Sequence, residues 1–333
     1  MKDVAREAGV SLGTVSNVLN NKSTVLEENR LKVMNAVKRL DFRSNLVART
    51  LKTKSSSDIG LIIPNINNPF YPELARGVED AANATGFTVL LCNDDRDANK
   101  ERNYINSLIT KNVRGIILIK PQISLKEIDK VKRHMAVVLV DCDTPARSAY
   151  NVVNVDDREG VAKALAYLYA KGHRKIAFVK GLDDSLSSHD RVSAYMDFLR
   201  SKKLHFNRQF ICEGAYSWNG GYNVAERLLA LSDPPTAIMA ANDLMAIGCM
   251  KAAQNMGFNV PGDVSVVGFD NLDITNLCSP RLTTINQPKY EMGRKSVELL
   301  LRSLQNGSDP AMEKVILQTE VVERESVGII VVP

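Results

Sequence analysis

The chain has 333 residues, about twice the size of an ordinary domain, so two or three domains are expected. Apolar residues make up 44% and charged residues 24%, the balance of a globular protein with a real core, and no uncharged apolar run is long enough to span a membrane. The net charge of +5 is concentrated: residues 1–57 carry eleven Lys/Arg against five Asp/Glu, a net of +6, which leaves the rest of the chain at −1. A basic head on a neutral body points to a nucleic-acid partner for the head.

The head reads as three short helices. Asp3 to Ala8 is helical by pattern and stops at Gly9, where a left-handed residue is wanted. Ser11 caps a second helix through about Leu19, whose buried stripe is Val15, Val18 and Leu19. Two short helices joined by Ala8-Gly9-Val10-Ser11 make a helix-turn-helix. A third helix, from about Glu27 to Leu40, is expected to bury Leu31, Met34, Val37 and Leu40. Asn45 to Leu51 is helical in propensity but only two turns long, so it needs a partner or template to order it. Lys52 to Asp58, rich in Ser and charge, is a linker.

From Ile59 the texture changes to strands alternating with helices. Strands are expected at 59–63, 88–92, 115–119, 175–179, 210–213, 236–240 and 264–269, with helices at 71–84, 98–111, 191–202, 220–230 and 243–256. Continuous apolar strands between amphipathic helices mean parallel sheets covered on both faces. There are too many strands for one sheet, so the body is read as two Rossmann-like lobes facing each other. Ligands bind beyond the carboxyl ends of such strands, which places a site in the cleft between lobes.

At this point the residues resemble the lactose/galactose-repressor (LacI/GalR) family of bacterial transcription regulators. The resemblance spans essentially the whole chain. The head shows Lys2-Asp3-Val4-Ala5, Ala8-Gly9-Val10-Ser11, Thr14-Val15-Ser16 and Val18-Leu19-Asn20. The next segment shows Asn45, Val47-Ala48-Arg49 and Leu51. In the body stand Asn68-Pro69-Phe70, Ala241-Asn242-Asp243, Val260-Pro261, Asp263 to Asp270, Leu282-Thr283-Thr284-Ile285 and Arg324-Glu325-Ser326. The fold implied is α/β, an N-terminal helix-turn-helix head plus a two-lobed periplasmic-binding-protein-like body with parallel Rossmann-like sheets. Its parts would be a DNA-binding domain at 1–43 and a hinge helix and linker at 44–57. The first lobe would take 58–157 plus 287–320, and the second 158–286 plus 321–333.

The resemblance also implies site residues. The second helix would enter the major groove, with Leu12, Gly13 and Asn17 facing base edges and Ser11, Thr14, Ser16 and Asn20 supplying short polar groups for phosphates. Linker helices of two subunits would pair in the minor groove, with Asn45 and Ala48 in contact there and Leu51 wedged into the central step, kinking the duplex. Some positions depart from the family pattern. Asn17 stands where arginine is usual, so an amide replaces a guanine-reading fork. Leu26 replaces a capping serine, Asn29 a threonine and Ser44 a proline.

In the cleft, Phe70, Tyr71 and Tyr216 offer flat faces for the C–H side of a sugar ring. Arg191, read as opening a helix, gives five donors in a rigid fork. Asn242, Asp270 and Gln287, with Asp94 and Asp141 at first-lobe strand ends, offer amide and carboxylate partners for hydroxyls. Trp218, two residues beyond the expected stacking position, is read as a rim residue. The partners implied are a pseudo-palindromic double-stranded DNA operator, a small effector of sugar type and a second copy of the chain. With no leucine-heptad tail after Ser326, a homodimer is expected rather than a tetramer.

Other classes fare poorly. No G-x-G-x-x-G, G-x-x-x-x-G-K-[ST] or G-x-S-x-G motif occurs, so no enzyme is expected. His134, His173, His189 and His205 are scattered, without i,i+4 pairs, and no metal or cofactor is expected; His173 reads as part of a helix-end turn. The five cysteines, odd in number and never spaced C-x-x-C, suit a reducing cytoplasm. The first residues hold no apolar core after their charges, so no secretory signal is read there. The alternatives are a catabolite-control-type regulator with a phosphorylated protein as co-effector, and a transporter's solute-binding protein. The latter has no use for residues 1–57.

Overall fold

The structure, a computed structural model, describes residues 1–19, 22, 25–42, 56–142, 150–305 and 312–330. The expected linker helix, with Asn45, Ala48 and Leu51, and the candidate Asn20 lie outside the described residues. The chain divides into two units, Met1–Ser56 and Ser57–Pro333.

In the first unit, α1 (Lys2–Ala8), α2 (Leu12–Leu19) and α3 (Glu27–Arg39) close on Val4, Ala8, Val15, Val18, Val33 and Ala36. Gly9 ends α1 at φ 65, and the Val10 N–H returns to the Ala5 carbonyl at 3.1 Å. The third helix buries a different stripe from the one expected. Leu31, Met34 and Leu40 are 59%, 51% and 44% exposed, while Val33 and Ala36 are buried and Val37 partly so. The cause is periodicity. Steps of three residues drift about 60° each, so a series from 31 to 40 runs round the helix, whereas 33, 36 and 37 share one face. Leu26, at the N-cap of α3, makes no side-chain capping bond.

The second unit holds two six-stranded sheets. The first lobe runs β1 (Asp58–Ile63), α4 (Phe70–Ala84), β2 (Thr88–Asn93), α5 (Ala98–Thr110), β3 (Gly115–Ile119), α6 (Leu125–Lys132), β4 (Ala136–Val140) and β5 (Asn151–Val155). The second runs α7 (Asp157–Ala170), β6 (Ile176–Lys180), α8 (Leu186–Ser201), β7 (Ile211–Glu213), α9 (Trp218–Leu229), β8 (Ala237–Ala240), α10 (Asp243–Asn255), β9 (Ser265–Asp270) and β10 (Thr283–Asn286). The chain then returns to the first lobe for α11 (Lys289–Gln305) and β11 (Lys314–Leu317), and ends in the second with β12 (Glu320–Val322). Glu320, assigned to the first lobe by sequence, therefore belongs to a second-lobe strand.

The sheet orders are β11-β5-β4-β3-β1-β2 and β12-β10-β9-β8-β6-β7. Apart from β12, antiparallel to β10, every pairing is parallel. Both lobes thus carry the 2-1-3-4-5 order of a doubly wound sheet, with a switch point between β1 and β3 in one and β6 and β8 in the other. In the second lobe α9 and α10 cross closely. A Cβ at Gly221 would collide with the Met245 carbonyl, and one at Gly248 with the Trp218 carbonyl. That approach seats the first turn of α9 beside the residues that open α10. No helix among the described residues is long and apolar enough to cross a membrane.

Candidate functional site

On α2, Val15 and Val18 face the core, Leu12 and Gly13 are exposed, and Ser16 and Asn17 are half-buried on the outer side. The Ser11 hydroxyl accepts the Thr14 N–H at 3.1 Å and shares a 2.9 Å hydrogen bond with the Thr14 hydroxyl. Capping thus engages both hydroxyls, and Ser11 fixes where the helix begins.

Strand ends of both lobes converge on a chamber of about 330 Å³. Phe70, Tyr71, Arg96, Lys120 and Asp141 reach it from the first lobe, and Arg191, Tyr216, Trp218, Asn242 and Asp270 from the second. Gln287, on the crossover between them, completes the wall. Of the eleven non-glycine residues with positive φ among the described residues, six line this chamber: Arg96, Lys120, Asp141, Ala215, Tyr216 and Asp270. Each left-handed residue costs roughly 1–2 kcal/mol. Such strain gathers where side chains must be aimed at something, which makes the cleft the candidate site.

Arg191 lies in the second turn of α8, not at its start, because the helix begins at Leu186, five residues earlier than expected. Its Nε and one terminal nitrogen both reach Asp157 Oδ1 at 2.7 Å, the other donates to the Ala241 carbonyl, and the guanidinium carbon sits 3.9 Å above the Phe269 ring. Asp157, first residue of α7, was not singled out by sequence. Asn242 works twice: its Oδ1 accepts the Met245 N–H at 2.9 Å as the N-cap of α10, and its Nδ2 donates to the Tyr216 carbonyl at 3.2 Å.

Asp270 Oδ1 accepts from Gln287 Nε2 at 2.6 Å. The other end of that amide, Oε1, is buried with no partner, an acceptor left for a ligand donor. Burial, with repulsion from Asp243, pushes the Asp270 carboxyl up to about 7 against the pull of Arg191 and Lys289. Burial likewise raises Asp243 to about 6 and the Tyr71 phenol to about 12. Phe70 and Tyr71 meet edge to face at 5.2 Å.

Asp94 does not join the site. It turns inward, accepts the Arg96 N–H at 2.8 Å and lines no part of the chamber. An Asx turn claims it. Two cations that sequence reading passed over take the place it was given. Lys120 Nζ lies 3.1 Å from Asp141 Oδ2 and 3.0 Å from Ser187 Oγ across the cleft. Burial opposes its charge, yet Asp141 and the two tyrosines raise its pKa overall. Arg96 shares the ring of Tyr216 with it. Lys120 directly follows β3, the same signal that marked Asp141, whereas Arg96 comes three residues after β2. Lys289, also missed, is buried and donates to the Asp270 and Asn271 carbonyls at 2.6 and 3.1 Å while pairing with Glu73 at 3.2 Å. Trp218 stacks on Tyr222 at 5.3 Å and forms part of the chamber rim. His173 is structural, bonded to Thr236 Oγ1 and the Gly328 carbonyl.

The raised carboxyls set a pH dependence. The folded form of Asp270 holds its proton up to about 7, whereas an unfolded chain releases it near 3.9. Stability is therefore lost as pH rises between those values. Asp243 adds to the trend, while His173, held below its usual value by burial, opposes it at the acid end. Asp270→Asn is expected to unfold at a higher temperature than wild type at pH 8, with the difference shrinking towards pH 5. Thermal unfolding followed by circular dichroism reads it, and a gap that stays constant with pH would contradict the assignment.

Two α/β lobes of one topology around a polar chamber, in one chain with a basic helix-turn-helix head, define a ligand-responsive DNA-binding transcription regulator. Comparison with known proteins agrees. Residues 1–45 match the family described as bacterial regulatory proteins, lacI family, and residues 165–327 match a periplasmic binding protein-like domain. Catabolite control protein A of Priestia megaterium is 36% identical over 90% of this chain and 91% of its own. The HTH-type transcriptional repressor PurR of Vibrio parahaemolyticus is 36% identical over 98% of both chains. A crystal structure of the lac repressor dimer bound to operator and the anti-inducer ONPF superposes with a TM-score of 0.88, at 27% identity and 98% of each chain. The chain belongs to the LacI family.

Proposed function

We propose that the protein is a cytoplasmic, non-enzymatic repressor that binds a near-palindromic operator as a homodimer and is controlled by a small polyhydroxy effector in the chamber between its lobes. The observation that carries this reading is the chamber's wall. Aromatic faces (Phe70, Tyr71, Tyr216) stand beside fixed polar groups (Arg191, Asn242, Asp270, Gln287) from both lobes, so a ligand held there binds one lobe arrangement better than another. An effector with that preference changes operator affinity by the difference in its own affinity for the two arrangements.

The DNA half of the proposal is tested at Asn17, on the outer side of α2. Operators selected from a randomised DNA pool are titrated with wild type and Asn17→Ala. The variant is expected to lose about 1–3 kcal/mol per base contact and to flatten preference at one position in each half-site. Unchanged preference at every position would remove Asn17 from the reading face. The ligand half is tested by a thermal-shift screen of sugars, sugar derivatives and nucleosides, since a ligand at about 100 times its Kd adds about 2.7 kcal/mol. No stabilisation by any of them would count against a polyhydroxy effector.

A further inference from the structure

Arg96 and Lys120 enter the cleft from separate turns of the first lobe and converge on one aromatic ring. The guanidinium carbon of Arg96 is 5.9 Å, and the ammonium of Lys120 5.5 Å, from the centre of the Tyr216 ring. Both residues hold left-handed backbone, at φ 61 and 48, so the fold bears strain to present them. Two cations gathered on one ring favour an anion beside them, and the more so where one of them lacks a carboxylate.

Lys120 has Asp141 beside it. Arg96 has no carboxylate partner among the described residues, although three aspartates flank it in sequence. Each is engaged elsewhere. Asp94 is buried and takes the Arg96 backbone N–H; Asp95 is bonded by Lys100 and by Asn93 Nδ2; Asp97 caps α5 through the N–H groups of Asn99 and Lys100. The other two cations of the chamber are paired: Arg191 is held by Asp157 and Lys120 by Asp141, while Asp270 takes the Gln287 amide. Among the described residues that line the chamber, Arg96 is thus the cation without a carboxylate at ion-pair distance, and its guanidinium is a planar fork suited to two oxygens of one anion. Arg96 also lines a second, adjoining chamber of about 510 Å³, which shares Lys120 and Asp141 with the first.

We infer that the effector is anionic: a sugar-like molecule whose carboxylate or phosphate is gripped by Arg96 and Lys120 at the edge of Tyr216, with its hydroxyls towards Asp270 and Gln287. This rests on the reading of the cleft as the effector site. The charges of Arg96 and Lys120 would then select the effector, while the polar groups of the chamber orient it.

The test uses the full-length protein and matched sets: glucose, galactose and ribose, each beside its aldonic acid, its uronic acid where one exists, and its terminal phosphate. Thermal shift finds binders and calorimetry measures them. At least one anion is expected to bind about thirty-fold or more tightly than its neutral parent, with the advantage shrinking as NaCl rises. The ratio is expected to fall to within about threefold in Arg96→Gln and in Lys120→Gln, as a charge-assisted grip requires. Which arm binds tells carboxylate from phosphate. A neutral parent that binds as tightly as its anions, or a ratio unmoved by both substitutions and by salt, overturns the inference. If a neutral sugar binds and Arg191→Ala abolishes that binding, the cleft reading stands and only the charge assignment falls. If no member of any set binds, both fall.

Discussion

Arg191→Ala is expected to abolish effector binding and to weaken the body by about 3–5 kcal/mol, the cost of stranding one partner of a buried ion pair. The two effects have different origins. Arg191 and Asp157 are both withdrawn from solvent, and Asp157 takes two guanidinium N–H groups on a single oxygen. Truncating the arginine leaves that carboxylate without its cation. The ligand loses a donor fork as well, worth roughly 2–4 kcal/mol where it is desolvated. A double substitution separates them. Arg191→Met with Asp157→Leu replaces the pair by apolar groups, which is often neutral or stabilising, so urea unfolding should return towards wild type while calorimetry still finds no effector binding. Recovery of effector binding in the double variant would show that Arg191 serves structure alone.

Removal of residues 1–56 should cost more than any single substitution: specific operator binding should fall by about a thousandfold or more, with the body still folded and able to bind effector. The head and the body have separate apolar cores, the first built on Val4, Val15 and Val33, the second on the two sheets. The excess positive charge leaves with the head, so the salt dependence of residual DNA binding should flatten as well. Electrophoretic mobility shifts at several salt concentrations, with thermal unfolding of the truncated chain, check both halves. Operator binding retained by residues 57–333 would contradict the assignment of the head.

Local pattern carried the reading furthest where it was short-ranged. Gly9, Ser11 and the 15/18 spacing were enough for the helix-turn-helix, and apolar runs bounded by turns marked most strands. Candidate residues at strand ends, Asp141, Asn242 and Asp270 among them, line the chamber because parallel strands of one sheet all deliver their carboxyl ends to the same side. At the cleft the failures came from information that sequence spacing does not hold. Asp94 looked equivalent to Asp141, but an Asx turn directs it inward. Lys120 met the strand-end criterion and Arg96, three residues past β2, did not; neither was singled out, because nothing in the sequence shows that residues 96, 120 and 216 meet at one ring. The stripe of α3 was misassigned by following a three-residue step past the point where it stays on one face. Lys289 could not have been found from pattern, since it opens a helix like many exposed lysines and its partners, Glu73 and Asp270 among them, lie far apart in the chain.

The central claim is that the chamber and the head are energetically linked, and reciprocal titration tests it most directly. Operator affinity is measured by fluorescence anisotropy with and without a saturating cleft ligand, and ligand affinity by calorimetry with and without saturating operator. Coupled sites in one protein must change each other's affinity by the same factor, typically about 5–150-fold. The account predicts equal factors in the two titrations for wild type and no coupling in Arg191→Ala. A ligand that binds the chamber tightly yet leaves operator affinity unchanged, with operator leaving ligand affinity unchanged in turn, would contradict it.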